Sequence, residues 1–96
     1  MDKEITGPLK GLRVADFTQL AQGPWATQMF GDMGADIIKI EPPKGDWMRN
    51  YAYGNMYPGG ESISFLCFNR NKRSMVLELK SEEGIATAKK VIAQSD

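Results

Sequence analysis

Gly31-Asp32-Met33-Gly34-Ala35-Asp36-Ile37-Ile38-Lys39-Ile40-Glu41-Pro42-Pro43 decides the fold. It reads as the end of a helix, a glycine turn, a buried strand and an abrupt stop. Gly34 suits the left-handed position that closes a helix, and Ile37, Ile38 and Ile40 are too uniformly apolar for a strand with one wet face. That strand is expected to be central, or covered on both sides. Upstream, Leu12 to Thr18 reads as another strand. Between the two, Pro24 opens a helical pattern in which Ala26, Met29, Phe30 and Met33 recur at i, i+3, i+4 and i+7, predicting a buried apolar face. Strand, loop, helix, strand is a βαβ unit, with parallel strands and a right-handed crossover expected. The fold class is therefore α/β, a Rossmann-like βαβ start of a parallel sheet. In such units ligands collect beyond the carboxyl ends of the strands, against the next helix N-terminus. Here that place is Gln19-Leu20-Ala21-Gln22-Gly23.

Outward from this unit, Met1 to Lys10 is a polar arm with Gly7-Pro8, expected to deliver the chain to the first strand. Residues 42–61 break every period and form a long loop rich in aromatics: Trp47, Tyr51, Tyr53 and Tyr57. A loop of this length in a compact domain is a binding loop, a lid or disordered. Its aromatics favour an ordered surface, used either for packing on a neighbouring domain or subunit or for ligand contact. Ser62 to Phe68 reads as a short helix capped by Ser62. A cationic run, Asn69-Arg70-Asn71-Lys72-Arg73-Ser74, then leads into a third strand expected at Met75–Leu79. Ser81, Glu82 and Glu83 open a last helix, with a side-chain cap and a negative first turn, and Ile85, Ala88 and Ile92 are its expected inner face. The chain reaches Asp96 where a parallel sheet would continue, so it is expected to be the front of a larger domain.

Composition narrows the chemistry. Twelve Lys and Arg balance twelve Asp and Glu among 96 residues, so no global field draws the chain to nucleic acid or an anionic membrane. One cysteine, Cys67, and no histidine exclude an internal disulfide, a Cys-x-x-Cys zinc site, His-ligated metals and Ser-His-Asp catalysis. No metal is expected. No apolar run approaches the ~18 residues of a membrane span, and the polar N-terminus shows no signal peptide. A cytoplasmic location is the expectation.

Four segments in order and spacing resemble the N-terminal region of the class III (CaiB/BaiF) CoA-transferase family, which includes formyl-CoA transferases, carnitine CoA-transferases and α-methylacyl-CoA racemases. They are Pro8 to Thr18; Gly23-Pro24 with Gln28; Gly34 to Pro43 with Gly45-Asp46 and Arg49; and Asn69 to Ser81 with Gly84. The resemblance runs from Pro8 onward and covers only the first part of a typical member. It implies transfer of coenzyme A between carboxylic acids through an aspartate nucleophile, a mixed anhydride and an enzyme-bound thioester. In the family that aspartate lies beyond the position of Asp96, so none of Asp16, Asp32, Asp36 or Asp46 is assigned to it. It also implies acyl-CoA and carboxylic acid substrates, a homodimer, and an aromatic loop covered within it.

What this segment contributes by resemblance is coenzyme A binding. Leu20, Ala21 and Gln22 are the loop positions beside the cofactor, and Leu77, Glu78, Leu79 and Lys80 match the segment at its nucleotide end. Lys80 is the foremost phosphate partner. Lys72 and Arg73 rank next, against the alternative of a solvated cationic patch. Formyl-CoA transferases carry arginine directly after the strand-ending glutamate, where this chain has Pro42, and many members have alanine at Gln22, so the substrate stays open. Three other readings stand beside it: a racemase of the same family, an inactive truncated or interaction module, and an NAD(P)-binding Rossmann unit. The last takes Glu41, 18 residues after Gly23, as a ribose-binding acid, but lacks the G-x-G-x-x-G turn.

Overall fold

A computed structural model describes residues 4–96. Three strands, β1 (Arg13–Asp16), β2 (Asp36–Glu41) and β3 (Lys72–Val76), form one sheet in the order β1-β2-β3, parallel throughout. Between β1 and β2 lies α1 (Gln22–Asp32). Residues 42–61 follow, then α2 (Ile63–Phe68), and α3 (Glu82–Ala93) after β3. The βαβ reading and the central place of the isoleucine strand both hold: Ile37 is 1% and Ile40 3% exposed. Each such side chain, taken fully out of water, contributes on the order of 1.5–3 kcal/mol. Gly34 ends α1 at φ +102, and its place is shut from the other side by the Thr6 carbonyl. Of the arm expected over residues 1–10, the first three lie outside the described residues, and the rest is strapped to that turn by Leu9 N–H donating to the Met33 carbonyl at 2.9 Å.

The helix faces depart from their periodicity. α1 buries Pro24, Thr27 and Gln28, while Met29, Phe30 and Met33 of the apolar stripe are exposed. The reason is chemical. The sheet face under α1 carries Asp16 and Lys72, and the helix meets it with hydrogen-bonding groups: Thr27 Oγ1 donates to Asp16 Oδ2 at 2.7 Å, and Gln28 Oε1 accepts from Arg70 N–H at 2.9 Å. In α3, Gly84 and Ala88 are buried, whereas Ile85 and Ile92 are exposed.

The third strand begins and ends three residues earlier than Met75–Leu79. Its polar opening is tolerated because each side chain finds a partner: Lys72 on Asp16, Arg73 on Asp36, Ser74 on Glu41. Pairing with β2 outlasts the strand by one bond, from Leu77 N–H to the Glu41 carbonyl at 2.9 Å. Glu78, Leu79 and Lys80 therefore lie beyond the carboxyl end of β3, in the turn that Ser81 closes by capping α3 through Gly84 N–H at 3.0 Å. α2 is capped as its sequence predicts, Ser62 Oγ accepting from Phe65 N–H at 3.2 Å.

Residues 42–61 are ordered as three 3₁₀ turns, Trp47–Asn50, Tyr53–Asn55 and Pro58–Gly60. Ser62 Oγ donates to the Tyr51 carbonyl at 2.7 Å, and Ser64 Oγ accepts from Tyr53 N–H at 2.9 Å, so α2 staples the loop. Met48 and Ala52 face inward, while Trp47, Tyr51 and Tyr53 stay at least 70% exposed. No helix among the described residues is long and apolar enough to cross a membrane.

Gly84 offers a test of the turn that carries Glu78 and Lys80. A Cβ at this position would overlap the Glu78 carbonyl oxygen, which is backbone and cannot swing away. Gly84→Ala is expected to cost about 1–3 kcal/mol as overpacking. Urea unfolding of the substituted and unsubstituted chains measures it; equal midpoints would show that the turn gives way.

Candidate coenzyme A site

In an all-parallel sheet the loops after β1, β2 and β3 leave one edge. The Gln19–Gly23 loop and the Lys80 turn thus share the carboxyl edge, as the βαβ reading requires, and spring from strands two spacings, about 10 Å, apart. Beside β2, an open cleft of about 660 Å³ is lined by Pro42, Pro43, Lys44, Gly45, Trp47, Asn50, Tyr51, Glu78 and Lys80. This lies within the size range of small-molecule sites. Lys80 and Glu78 are there as expected. Lys44, Trp47 and Tyr51 join them, and of these the sequence carried a signal only for the aromatics.

The other expected positions divide. Ala21 caps the N-terminus of α1 and Gln22 is its first residue, with Leu20 just before at φ +71. These three lie on the same edge but outside the cleft wall. Leu77 is half-buried at the strand end and Leu79 is exposed. Lys72 and Arg73 belong to neither group, because they start β3 at the opposite edge. Lys72 Nζ is buried and spent on Asp16 at 3.1 Å, the Pro24 carbonyl at 2.9 Å and Asn69 at 2.8 Å. Arg73 forks onto Asp36, which also takes Arg13 at 3.1 Å. The cationic patch is a set of structural ion pairs.

Behind the cleft wall runs a buried charged network that sequence reading missed. Lys39 Nζ meets Asp46 Oδ2 at 2.7 Å, with both side chains at most 1% exposed, and also donates to the Thr18 carbonyl at 3.0 Å. Glu41 is 2% exposed; Arg49 donates to its two oxygens at 2.6 and 2.8 Å, and Asp46 N–H to Oε1 at 2.9 Å. Arg49 in turn stacks on Phe65 with its guanidinium carbon 3.9 Å from the ring centre. With both oxygens engaged, Glu41 has none to offer a ribose, which removes the argument for an NAD(P) site. Four aspartates are likewise held by cations: Asp16 by Lys72, Asp32 by Arg70, Asp36 by Arg13 and Arg73, Asp46 by Lys39.

The pKa shifts follow from these contacts. The Arg49 guanidinium holds the Glu41 carboxyl down at about 2 against an ordinary 4.5, burial opposing, with Ser74 and the Asp46 N–H adding to the depression. Burial pushes Asp16 up, but hydrogen bonds from Thr18 and Thr27 and the charge of Lys72 outweigh it, so its net shift is downward. Lys72 is lowered by burial, partly offset by Asp16.

A depressed carboxyl stabilises the fold at pH values above its unfolded pKa, and that contribution is lost as pH falls through the folded one. Glu41 should therefore contribute in full above pH 4.5 and progressively less down to about 2. After discounting for the solvent-facing side of Arg49, this is of the order of 2–3 kcal/mol. Glu41→Gln is expected to lower stability near neutrality and to flatten the acid limb between those pH values in urea titrations. Parallel acid limbs would refute the assignment.

The model of CoA-transferase family III matches residues 9–96. Succinyl-CoA:glutarate CoA-transferase of Mus musculus is 40% identical over 96 residues, 99% of this chain and 22% of that protein. Formyl-CoA:oxalate CoA-transferase of Streptomyces avermitilis is 39% identical over 92 residues, 96% of this chain and 22% of that one. Among solved structures, a CaiB/BaiF family protein from Brucella suis superposes with a TM-score of 0.86 at 34% identity, over 95% of this chain and 25% of that one. This chain spans about a quarter or less of the relatives it matches. With the parallel sheet and the carboxyl-edge cleft in the same 88 residues that the family model matches, the chain belongs to CoA-transferase family III.

Proposed function

We propose that this segment forms part of the coenzyme A site of an acyl-CoA:carboxylate CoA-transferase. The observation that carries the reading is the cleft in which Lys80 and Lys44 stand beside Trp47 and Tyr51. A nucleotide end with a 3′-phosphate needs cations for its phosphates and flat apolar walls for its base, and both are present. The pantetheine arm would then run along the carboxyl edge toward Leu20, Ala21 and Gln22 at the open end of α1. The transferase reading is preferred to the racemase because the mouse and Streptomyces relatives are CoA-transferases.

By the family resemblance, attack on the thioester is assigned to an aspartate beyond the position of Asp96, and the ion pairs that tie up Asp16, Asp32, Asp36 and Asp46 agree with a structural role for these four. The acyl donor is an acyl-CoA and the acceptor a carboxylic acid. A homodimer and a cytoplasmic location complete the proposal. For the homodimer, the support is the exposed apolar surface of Tyr53, Met56 and Tyr57, which lie on the same loop outside the cleft.

Lys80 makes no salt bridge among the described residues. In the whole protein, Lys80→Ala is expected to lose a charge-assisted hydrogen bond of roughly 1.5–3 kcal/mol and to raise the Michaelis constant for acyl-CoA about tenfold or more. The turnover number should barely move, because a remote contact is made equally in ground and transition states. A change under about twofold at low salt, where phosphate contacts weigh most, would overturn the assignment. The 96-residue chain alone is expected to show no transfer between an acyl-CoA and a free acid; measurable transfer would force a local aspartate into the nucleophile's role.

A further inference from the structure

We infer that Asp46 is a positioning residue for the acyl-CoA site, holding the Gln19–Gly23 loop in its left-handed turn at Leu20 and locking it to the wall of the Lys80 cleft. The inference rests on assigning that loop and cleft to coenzyme A, and it adds a residue that lines no part of the cleft. Leu20 has φ +71, a conformation side chains adopt only where their surroundings hold it. The hold is visible. Leu20 N–H donates to Asp46 Oδ1 at 3.1 Å, and Met48 N–H donates to the same oxygen at 2.9 Å.

Asp46 is itself anchored from behind. It is 0% exposed, its Oδ2 meets Lys39 Nζ at 2.7 Å, and its N–H donates to Glu41 Oε1 at 2.9 Å. Lys39 also grips the Thr18 carbonyl at the start of the same loop. The chain neighbours of Asp46, Gly45 and Trp47, both line the cleft. One buried carboxylate thus joins two binding surfaces, facing the Leu20 loop while its flanking residues form the cleft wall. A purely structural ion pair needs only the Lys39 contact; the bond to Leu20 N–H reaches across 26 residues to the loop itself.

The test is steady-state kinetics of the whole protein with acyl-CoA varied, on Asp46→Asn, Asp46→Ala and the double substitution Lys39→Met with Asp46→Leu. Asn keeps a side-chain oxygen for Leu20 N–H, so its Michaelis constant is expected to stay within about threefold of the parent, even though it melts lower for want of the Lys39 pair. Ala and the double substitution lose the acceptor. Their Michaelis constants are expected to rise roughly tenfold or more, with most of the loss in KM rather than kcat. Should Ala fail to fold, the double substitution removes both buried charges together, a replacement cores tolerate. Unmoved Michaelis constants in folded variants without the acceptor, or equal effects of Asn and Ala, overturn the positioning role. Amide exchange on the unsubstituted protein adds an independent arm: Leu20 N–H is expected to be protected above its loop neighbours, and an unprotected rate overturns the clamp. Absence of saturation by acyl-CoA in the unsubstituted protein overturns the coenzyme A reading instead.

Discussion

Two ion pairs buried in the sheet, Lys39–Asp46 and Lys72–Asp16, constrain the rest of the molecule. Taking four charges out of water costs several kcal/mol each, and their mutual attraction offsets that only when the remaining hydrogen-bonding capacity is also used. The chain meets the condition from many directions. Thr18 and Thr27 donate to Asp16, the Pro24 carbonyl and Asn69 accept from Lys72, and Leu20 and Met48 N–H groups donate to Asp46 Oδ1, leaving Oδ2 to the Lys39 charge alone. Those partners come from the loops after β1 and β2, from the first turns of α1 and from the end of α2. The network therefore specifies where these elements sit more than it adds net stability, and removing one member would strand a buried charge.

The same constraint explains why α1 confounded its own periodicity. A helical apolar stripe is read as the buried face because cores are usually apolar. Here the face that meets the sheet must satisfy a charge and a backbone N–H, so Thr27 turns inward to Asp16 and Gln28 to Arg70 N–H, while Met29, Phe30 and Met33 face outward. The β2 isoleucines, the Gly34 stop and the serine caps of α2 and α3 were legible because their causes are local: branched side chains, a left-handed turn, a hydroxyl facing free N–H groups. The start of β3 was not. Lys72, Arg73 and Ser74 look like a loop in isolation, and only the acidic partners waiting on β1 and β2 make them strand residues.

Site legibility divides along the same line. Lys80 could be placed because strand order and the parallel rule put every strand end on one edge, and its turn is closed by a serine cap readable from the sequence. Lys72 and Arg73 read in sequence as clustered cations suited to an anionic ligand, whereas the structure pairs them with carboxylates far away in the chain. Lys44 and Asp46 were hidden inside a run, Pro-Pro-Lys-Gly-Asp, whose prolines signal only where a strand stops. What that run does depends on Gly45 at φ +82 and on the Asp46 contact with Leu20, neither of which periodicity can express.

These contacts also separate binding from chemistry under the coenzyme A reading. A carboxylate that attacks a thioester must present an oxygen free of strong donors, because hydrogen bonds and cations that stabilise the anion lower its nucleophilicity. Asp16 and Asp46 are buried against lysines, while Asp32 and Asp36 are forked by arginines. Charges committed in this way suit a scaffold that must hold loops still, since preorganised loops bind a flexible cofactor with less ordering cost. The exposed groups, Lys44, Lys80 and the aromatics, are those left free to meet a ligand. Under the coenzyme A reading the division of labour follows: Asp46, Lys39 and Glu41, paired inside, fix the shape of the carboxyl edge, and Lys44 and Lys80 outside are the groups offered to the ligand.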